Sequence, residues 1–420
     1  MRWLVILVIF VSPSLSQGDE VPPAPATAAH SVEVPGLTLD ECIAWAQMRH
    51  PRLTEAGFQI DEARGDALQA GLYPNPRIDS GNPQTIGPQQ TTILTTGLTQ
   101  RIVTAGKLKL DQAAATEAAR QAEWNRVRAR YEVLTQVRQE FFTTLAAQRR
   151  QSLSEKLLLL AEQSEKTGSN LFKAEQVSET DVLLLRVERR RAELALRTTE
   201  IALRAQKRQL ATTMGVTDLR IEAVEGSLSV PLQQFDSDQS LLQIVTGNSA
   251  VQIALLDVSR SQFLLRRAEV QPIPDLTVQG GFQYSYATSN TQALIGLYID
   301  VPIWDRNQGN IAAAQAAIFR AHANREVVQL DLTRQLIDAL QNYQVAETTV
   351  KSLEEGILPD AMKTLELVQK AYARGQFDIT RLLQTQRSVF EANLDYVSAL
   401  ENRLRAAAAI AGLLQLDQFP

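Results

Sequence analysis

Two proline-poor runs constrain this chain more than any other feature. No proline occurs between Pro88 and Pro231, and after Pro302 only Pro359 intervenes before the terminal Pro420. Proline is the strongest helix breaker, so single helices of about 65 residues, about 100 Å long at 1.5 Å per residue, are allowed over 106–172 and 309–372. Each run leads through a tight turn into a return helix of about 35 residues, over 178–213 and 378–414. Such lengths do not fit inside a compact globule. Leu383, Phe390, Leu394, Val397, Leu400 and Leu404 recur at helical spacing with Arg and Glu in the gaps, which reads as coiled-coil-like packing.

The organisation is duplicated. Pro74-Asn75-Pro76 closes one helical stretch and Pro272-Ile273-Pro274 closes another 198 positions later. Extended sequence and then a long helix follow both. Ile102 answers Ile303, and the turn from Phe172 to Asp181 answers the turn from Tyr372 to Arg381. A unit this long is a duplicated half-molecule and not a solenoid repeat.

Structure is expected to begin at Thr38, which caps a helix with Glu41 in the capping-box position. Pro51 suits the first turn of a second helix running to about Gly71, which Pro74 and Pro76 stop. Extended segments follow at 91–102, 275–287 and 292–303, the last two joined by a turn at 288–291. Leu276, Val278, Phe282 and Tyr284 alternate with Thr277, Gln279, Gln283 and Ser285, and Ala293, Ile295, Leu297 and Ile299 alternate in the partner. Strands of about ten residues match a tilted bilayer crossing, although a hairpin on a soluble domain has two such faces as well. A further short strand over 77–82, followed by Pro83, gives two strands per half. Four strands cannot close a barrel, and an open edge in hydrocarbon leaves backbone groups unsatisfied. The strands must therefore pool between subunits, and three copies would supply about twelve, enough for a water-filled lumen. The fold class expected is mixed α+β, mostly α: a trimeric β-barrel continued by a long α-helical coiled-coil barrel.

The amino terminus has Met1-Arg2, a short apolar core and Ser14-Leu15-Ser16, which reads as an export signal cut after Ser16; the core is short for a membrane anchor. Residues 17–37, rich in proline, read as a disordered leader. The lone Cys42 excludes an intrachain disulfide. With a net charge of −5 the chain has no global basic field for nucleic acid. His30, His50 and His322 are scattered, and no spacing resembles a metal site, a phosphate loop or a nucleophile elbow. No cofactor and no enzymatic activity are expected.

The duplicated Pro-x-Pro, the junction Val301-Pro302-Ile303-Trp304-Asp305-Arg306-Asn307-Gln308-Gly309-Asn310, and the turn Tyr372-Ala373-Arg374-Gly375-Gln376-Phe377-Asp378 resemble the TolC-type outer-membrane efflux family over nearly the whole chain beyond residue 37. The Asp305-to-Asn310 junction resembles the cobalt–zinc–cadmium branch in particular. The resemblance implies a homotrimer in outer-membrane lipid, a periplasmic helical tunnel, and docking through a periplasmic adaptor to a proton-driven inner-membrane pump. It divides the chain into efflux repeats over 38–230 and 231–414 with a short tail over 415–420. The expected function is a passive exit duct for small solutes, heavy-metal cations among them. A drug or type I protein-secretion duct is the near alternative, and a periplasmic coiled-coil adaptor the distant one.

Ser178 and Asp378 are expected to cap the return helices. Asp181, Arg381 and Gln384 are the candidate aperture; the resemblance implies acidic residues at the last two positions, so a cation-selecting ring is lost or replaced by Asp181–Arg381 pairs. Solvated surface charges are the plain alternative. Glu175, Gln176, Val177, Arg374, Gly375, Gln376 and Phe377 are candidates for adaptor contact, with Phe377 either an anchor or tucked onto Tyr372. Gly375 suits a left-handed turn that Glu175 takes only at a cost, so the two turns are expected to differ. Pro74, Pro76, Pro272, Pro274 and Pro302 read as strand–helix elbows, with Trp304 at the membrane interface or packed in the junction. Pro359 marks a bend or a change in curvature.

Overall fold

The structure is a computed structural model that describes residues 32–34, 36–81, 93–232, 247–285, 288–374 and 376–419. The export signal and the leader up to residue 31 lie outside the described residues, as do Pro83 and Gly375. In chain order the elements are β1 (Val32–Val34), α1 (Leu39–Arg49), α2 (Pro51–Gly71), β2 (Arg77–Gly81), β3 (Ile93–Ile102), α3 (Lys107–Lys173), α4 (Glu179–Thr213) and β4 (Leu219–Ile221). The second half continues with α5 (Ser249–Val270), β5 (Leu276–Ser285), β6 (Asn290–Ile299), α6 (Gln308–Ser352), a π turn (Leu353–Ile357), α7 (Leu358–Ala373) and α8 (Ile379–Leu413).

The capping box expected at Thr38 forms: its hydroxyl accepts from the Glu41 N–H and the Glu41 carboxylate accepts from the Thr38 N–H at 2.9 Å. Pro51 sits in the first turn of α2, and the helix ends at Gly71 ahead of Pro74. α3 runs unbroken for 67 residues, roughly 100 Å. Its counterpart does not. α6 gives way after 45 residues to a π turn ending at Ile357, and α7 restarts with Pro359 in its first turn. A proline mid-helix lacks an N–H and crowds the carbonyl four residues back. The extra residue in the π turn relieves that conflict without ending the rod.

The helices form a layer in which α4 packs on α3, α3 on α8, and α8 on α6 and α7. Nearer the sheet, α2 packs on α3, α3 on α5, and α5 on α6. The main core lies midway along α3, where Val133, Val137, Phe141 and Phe142 meet Cys42, Leu210, Met214, Leu400 and Leu404. A smaller cluster of Leu185, Val368, Tyr372, Ile379 and Leu382 closes the far end.

Two expectations are corrected. Order begins before Thr38: β1 pairs in parallel with β4, Val32 opposite Leu219, and Leu37 is buried with backbone bonds to Ala223 and Glu225. A three-residue strand held by a distant partner leaves no periodicity to read in the leader. The short carboxy-terminal tail packs on the core. The fully buried Arg138 donates to the carbonyls of Leu416 and Asp417, and Phe419 packs on Phe142 at 5.2 Å. β6 stops at Ile299 and not at 303, because its neighbour β5 ends opposite it at Leu276 and Pro302 offers no donor to carry the ladder on.

Candidate membrane sheet, elbow and tip

The four strands form one antiparallel sheet in the order β2-β3-β5-β6. Ile102 lies opposite Leu276, which lies opposite Ile299, and Ile78 lies opposite Leu98. Side chains alternate across a strand, so the register collects Ile78, Leu94, Leu98, Ile102, Leu276, Val278, Phe282, Ile295, Leu297 and Ile299 on one face. The opposite face carries Arg77, Asp79, Thr95, Thr99, Arg101, Thr277, Gln279, Gln283 and Gln292. The apolar face is uncovered: Phe282 is 66% and Ile295 86% exposed. A soluble hairpin packs that face on a core. Here it is exposed across strands of 10 residues, about 33 Å each, a length that fits a tilted bilayer crossing. β2 is described for 5 residues, to Gly81. No described helix is long and apolar enough to cross a membrane.

Where the sheet meets the helices, Asp275 holds a knot that sequence reading missed. It follows Pro274 and accepts from Lys107 Nζ at 2.8 Å, from Arg101 Nη2 at 2.5 Å and from the Thr104 N–H at 3.1 Å. Lys107 also donates to the Ile273 carbonyl at 2.5 Å, and the Thr104 hydroxyl donates to the Pro274 carbonyl at 2.7 Å. The Lys107 side chain is 3% exposed and that of Asp275 9%. Burial alone pushes the Asp275 carboxyl up, but the bonds from Lys107, Thr104 and Arg101 outweigh it and hold the group well below the usual carboxylate range. Ala105 and Gly106 are left-handed, which turns the chain from strand into helix. The elbow prolines Pro74, Pro272, Pro274 and Pro302 are half-buried and Pro76 is exposed, while Trp304 stands in the open at 86% exposure.

At the far end, Ser178 and Asp378 cap α4 and α8 as expected. Asp181 completes a capping box: its carboxylate accepts from the Ser178 N–H at 3.0 Å and from its hydroxyl at 2.9 Å. Arg381 lies over the Phe377 ring at 4.5 Å, so Phe377 is held by that cation and is absent from the apolar cluster around Tyr372. Among the described residues no ion pair joins Asp181 to Arg381 within a protomer. The repeats are instead tied by Arg387 to Glu188 at 2.9 Å and by Gln386 to Ser164 at 3.1 Å. Gln384, Glu175, Gln176, Arg374 and Gln376 are exposed and Val177 is half-buried. The expected difference between the turns rests on Gly375, which lies outside the described residues; beside it, the Ala174 N–H bonds Asn170 four residues back, whereas the Arg374 N–H bonds Ala371 three back. Glu175 takes the left-handed conformation at φ 55°, and Gln176 and Gln376 donate backbone bonds to the equivalent carbonyls of Leu171 and Ala371. Among the described residues no three His, Cys, Asp or Glu side chains converge as a metal site.

Comparison with known proteins agrees with this geometry. Residues 241–414 match the family model described as outer membrane efflux protein. The cobalt-zinc-cadmium resistance protein CzcC of Cupriavidus metallidurans is 26% identical over 417 residues, 98% of each chain. Among solved structures, a membrane protein from Pseudomonas aeruginosa superposes with a TM-score of 0.78 at 17% identity, covering 90% of each chain. CusC superposes with a TM-score of 0.75 at 17% identity, covering 90% of this chain and 91% of that one. Residues 241–414 thus match the outer membrane efflux protein model, and the fold of CusC is shared over 90% of the chain.

Proposed function

We propose that three copies of this chain close into a twelve-stranded barrel in the outer membrane and a helical tunnel in the periplasm, forming the passive exit duct of a tripartite efflux system. The observation that carries this reading is that each layer of the protomer ends in elements with uncovered apolar side chains. The sheet ends in β2 and β6, with Ile78 and Ile295 exposed. The helices near it end in α2 and α6, with Phe58, Phe319 and Leu330 exposed. The far helices end in α4 and α7, with Leu194, Ile201, Met362 and Leu367 exposed. Open edges that expose apolar surface call for a like partner, and a rotationally symmetric ring satisfies them all. Detergent extracts of outer-membrane fractions should contain a particle of three chains; a monomer removes the barrel.

The similarity to CzcC supports cobalt, zinc or cadmium as cargo. A periplasmic adaptor would grip the exposed turns at Glu175, Gln176, Arg374, Gln376 and Phe377 and link the duct to an energised inner-membrane pump. Asp181 of one copy and Arg381 of the next would narrow the aperture, with Gln384 beside them. The double variant Asp181→Ala, Arg381→Ala then conducts more than wild type; no rise removes the gate.

A further inference from the structure

The internal repeat predicts a contact that lies between copies. Two offsets relate the halves. Pro74 and Pro76 map onto Pro272 and Pro274 at 198. The left-handed helix starts Gly106 and Asn307, with their bonds Leu110 N–H to Gly106 and Ile311 N–H to Asn307, map at 201. Both offsets preserve strand register: Arg77 opposite Thr99 becomes Asp275 opposite Asp300, which continues the observed pairing of Leu276 with Ile299. The repeat is therefore structural and not only a likeness of sequence.

Inside a protomer, the second strand of the first repeat (β3) pairs with the first strand of the second (β5), and the Asp275 knot locks the seam. In a closed ring the equivalent seam joins β6 of one copy to β2 of the next. Carrying the Ile102–Leu276 pair across by the same offsets puts Ile303 of one copy, just past the end of β6, beside Ile78 of the next. Asp275 becomes Arg77, Thr104 becomes Asp305 and Lys107 becomes Gln308. A base now stands at the proline elbow and an acid at the place of Thr104, while the place of Lys107 holds the neutral Gln308. Arg77 is 77% exposed, paired with Asp79 of its own strand at 2.6 Å, and its guanidinium has donors to spare. Asp305 is exposed and accepts only the Asn307 N–H on one oxygen among the described contacts.

We propose that Arg77 of one copy and Asp305 of the next form an ion pair that latches neighbouring protomers at the sheet-to-helix elbow, in the place that the Thr104–Asp275 contact holds within a protomer. This rests on the closed-ring reading above. The test measures dissociation of the trimer in detergent at fixed temperature for Arg77→Asp, Asp305→Arg and the double exchange. Each single change should speed dissociation about fivefold, and the double should return to within about twofold of wild type. Recovery is the signature, because loss of the Arg77–Asp79 pair alone is not repaired by a change at Asp305. As an independent readout, Arg77→Cys with Asp305→Cys in a Cys42→Ser background should be joined between copies by a short bis-maleimide, whereas Arg77→Cys with Asp331→Cys should not. A stable wild-type trimer with neither recovery nor linkage overturns the latch alone. A monomeric wild type overturns the ring and the latch together.

Discussion

Replacing Asp275 by asparagine should be among the most damaging single-atom changes in this chain. Lys107 is 3% exposed and starts α3, where the helix dipole already disfavours a cation. With the carboxylate gone, its ammonium keeps only the Ile273 carbonyl and the amide. An uncompensated buried charge of this kind costs about 3–5 kcal/mol. Arg101 is more than half exposed, so its share is screened and small. The Lys107→Met, Asp275→Asn double variant removes the stranded cation and should recover about half of the loss. Because the folded carboxyl lies below its unfolded value, the stabilisation is complete above about pH 4 and is lost as pH falls toward the folded value. The gap between wild type and Asp275→Asn should therefore be flat from about pH 5 to 8 and shrink in acid. Denaturant unfolding in detergent, followed by far-ultraviolet circular dichroism, measures it. A variant within about 0.5 kcal/mol of wild type at pH 7 would refute the reasoning.

Other outcomes follow from packing. The Cys42 thiol is fully buried and pushed up to about 12 by burial and then by Glu41, so thiol reagents should leave the folded chain unlabelled through pH 9 and label it once unfolded. Phe141→Ala in the main core should cost about 3–5 kcal/mol in the same unfolding assay. A side chain at Gly168 would meet Leu185 Cδ1 at 2.2 Å, so Gly168→Val should loosen the far-end cluster and raise proteolysis at the tip while leaving the sheet end intact. The buried Tyr372 hydroxyl finds no partner among the described residues, so Tyr372→Phe should be neutral or stabilising by up to about 1 kcal/mol.

Features with a local period were legible before any coordinates: the rod lengths, the caps at Thr38, Ser178 and Asp378, the proline elbows and the two faces of β5 and β6. Each is written within a few residues, as spacing, a capping side chain or alternation. What escaped has no such signature. Lys107 and Asp275 are 168 residues apart, and nothing in either neighbourhood marks the other. The same holds for β1 on β4 and for Arg138 under the carboxy-terminal tail. At the tip, Asp181 and Arg381 each spend their nearest interaction locally, on Ser178 and Phe377. The Pro359 irregularity was visible; its resolution as a π turn depends on how the whole rod must keep packing on α8.

The central claim is that the exposed apolar face of the sheet is a barrel wall and that the rods enclose a water path continuous with it. The most direct test adds the purified protein from outer-membrane fractions to a planar lipid bilayer and records current. The account predicts discrete, uniform conductance steps from a three-chain particle. A water-soluble protein that leaves the bilayer silent would contradict it, and the long helices would then belong to a periplasmic scaffold.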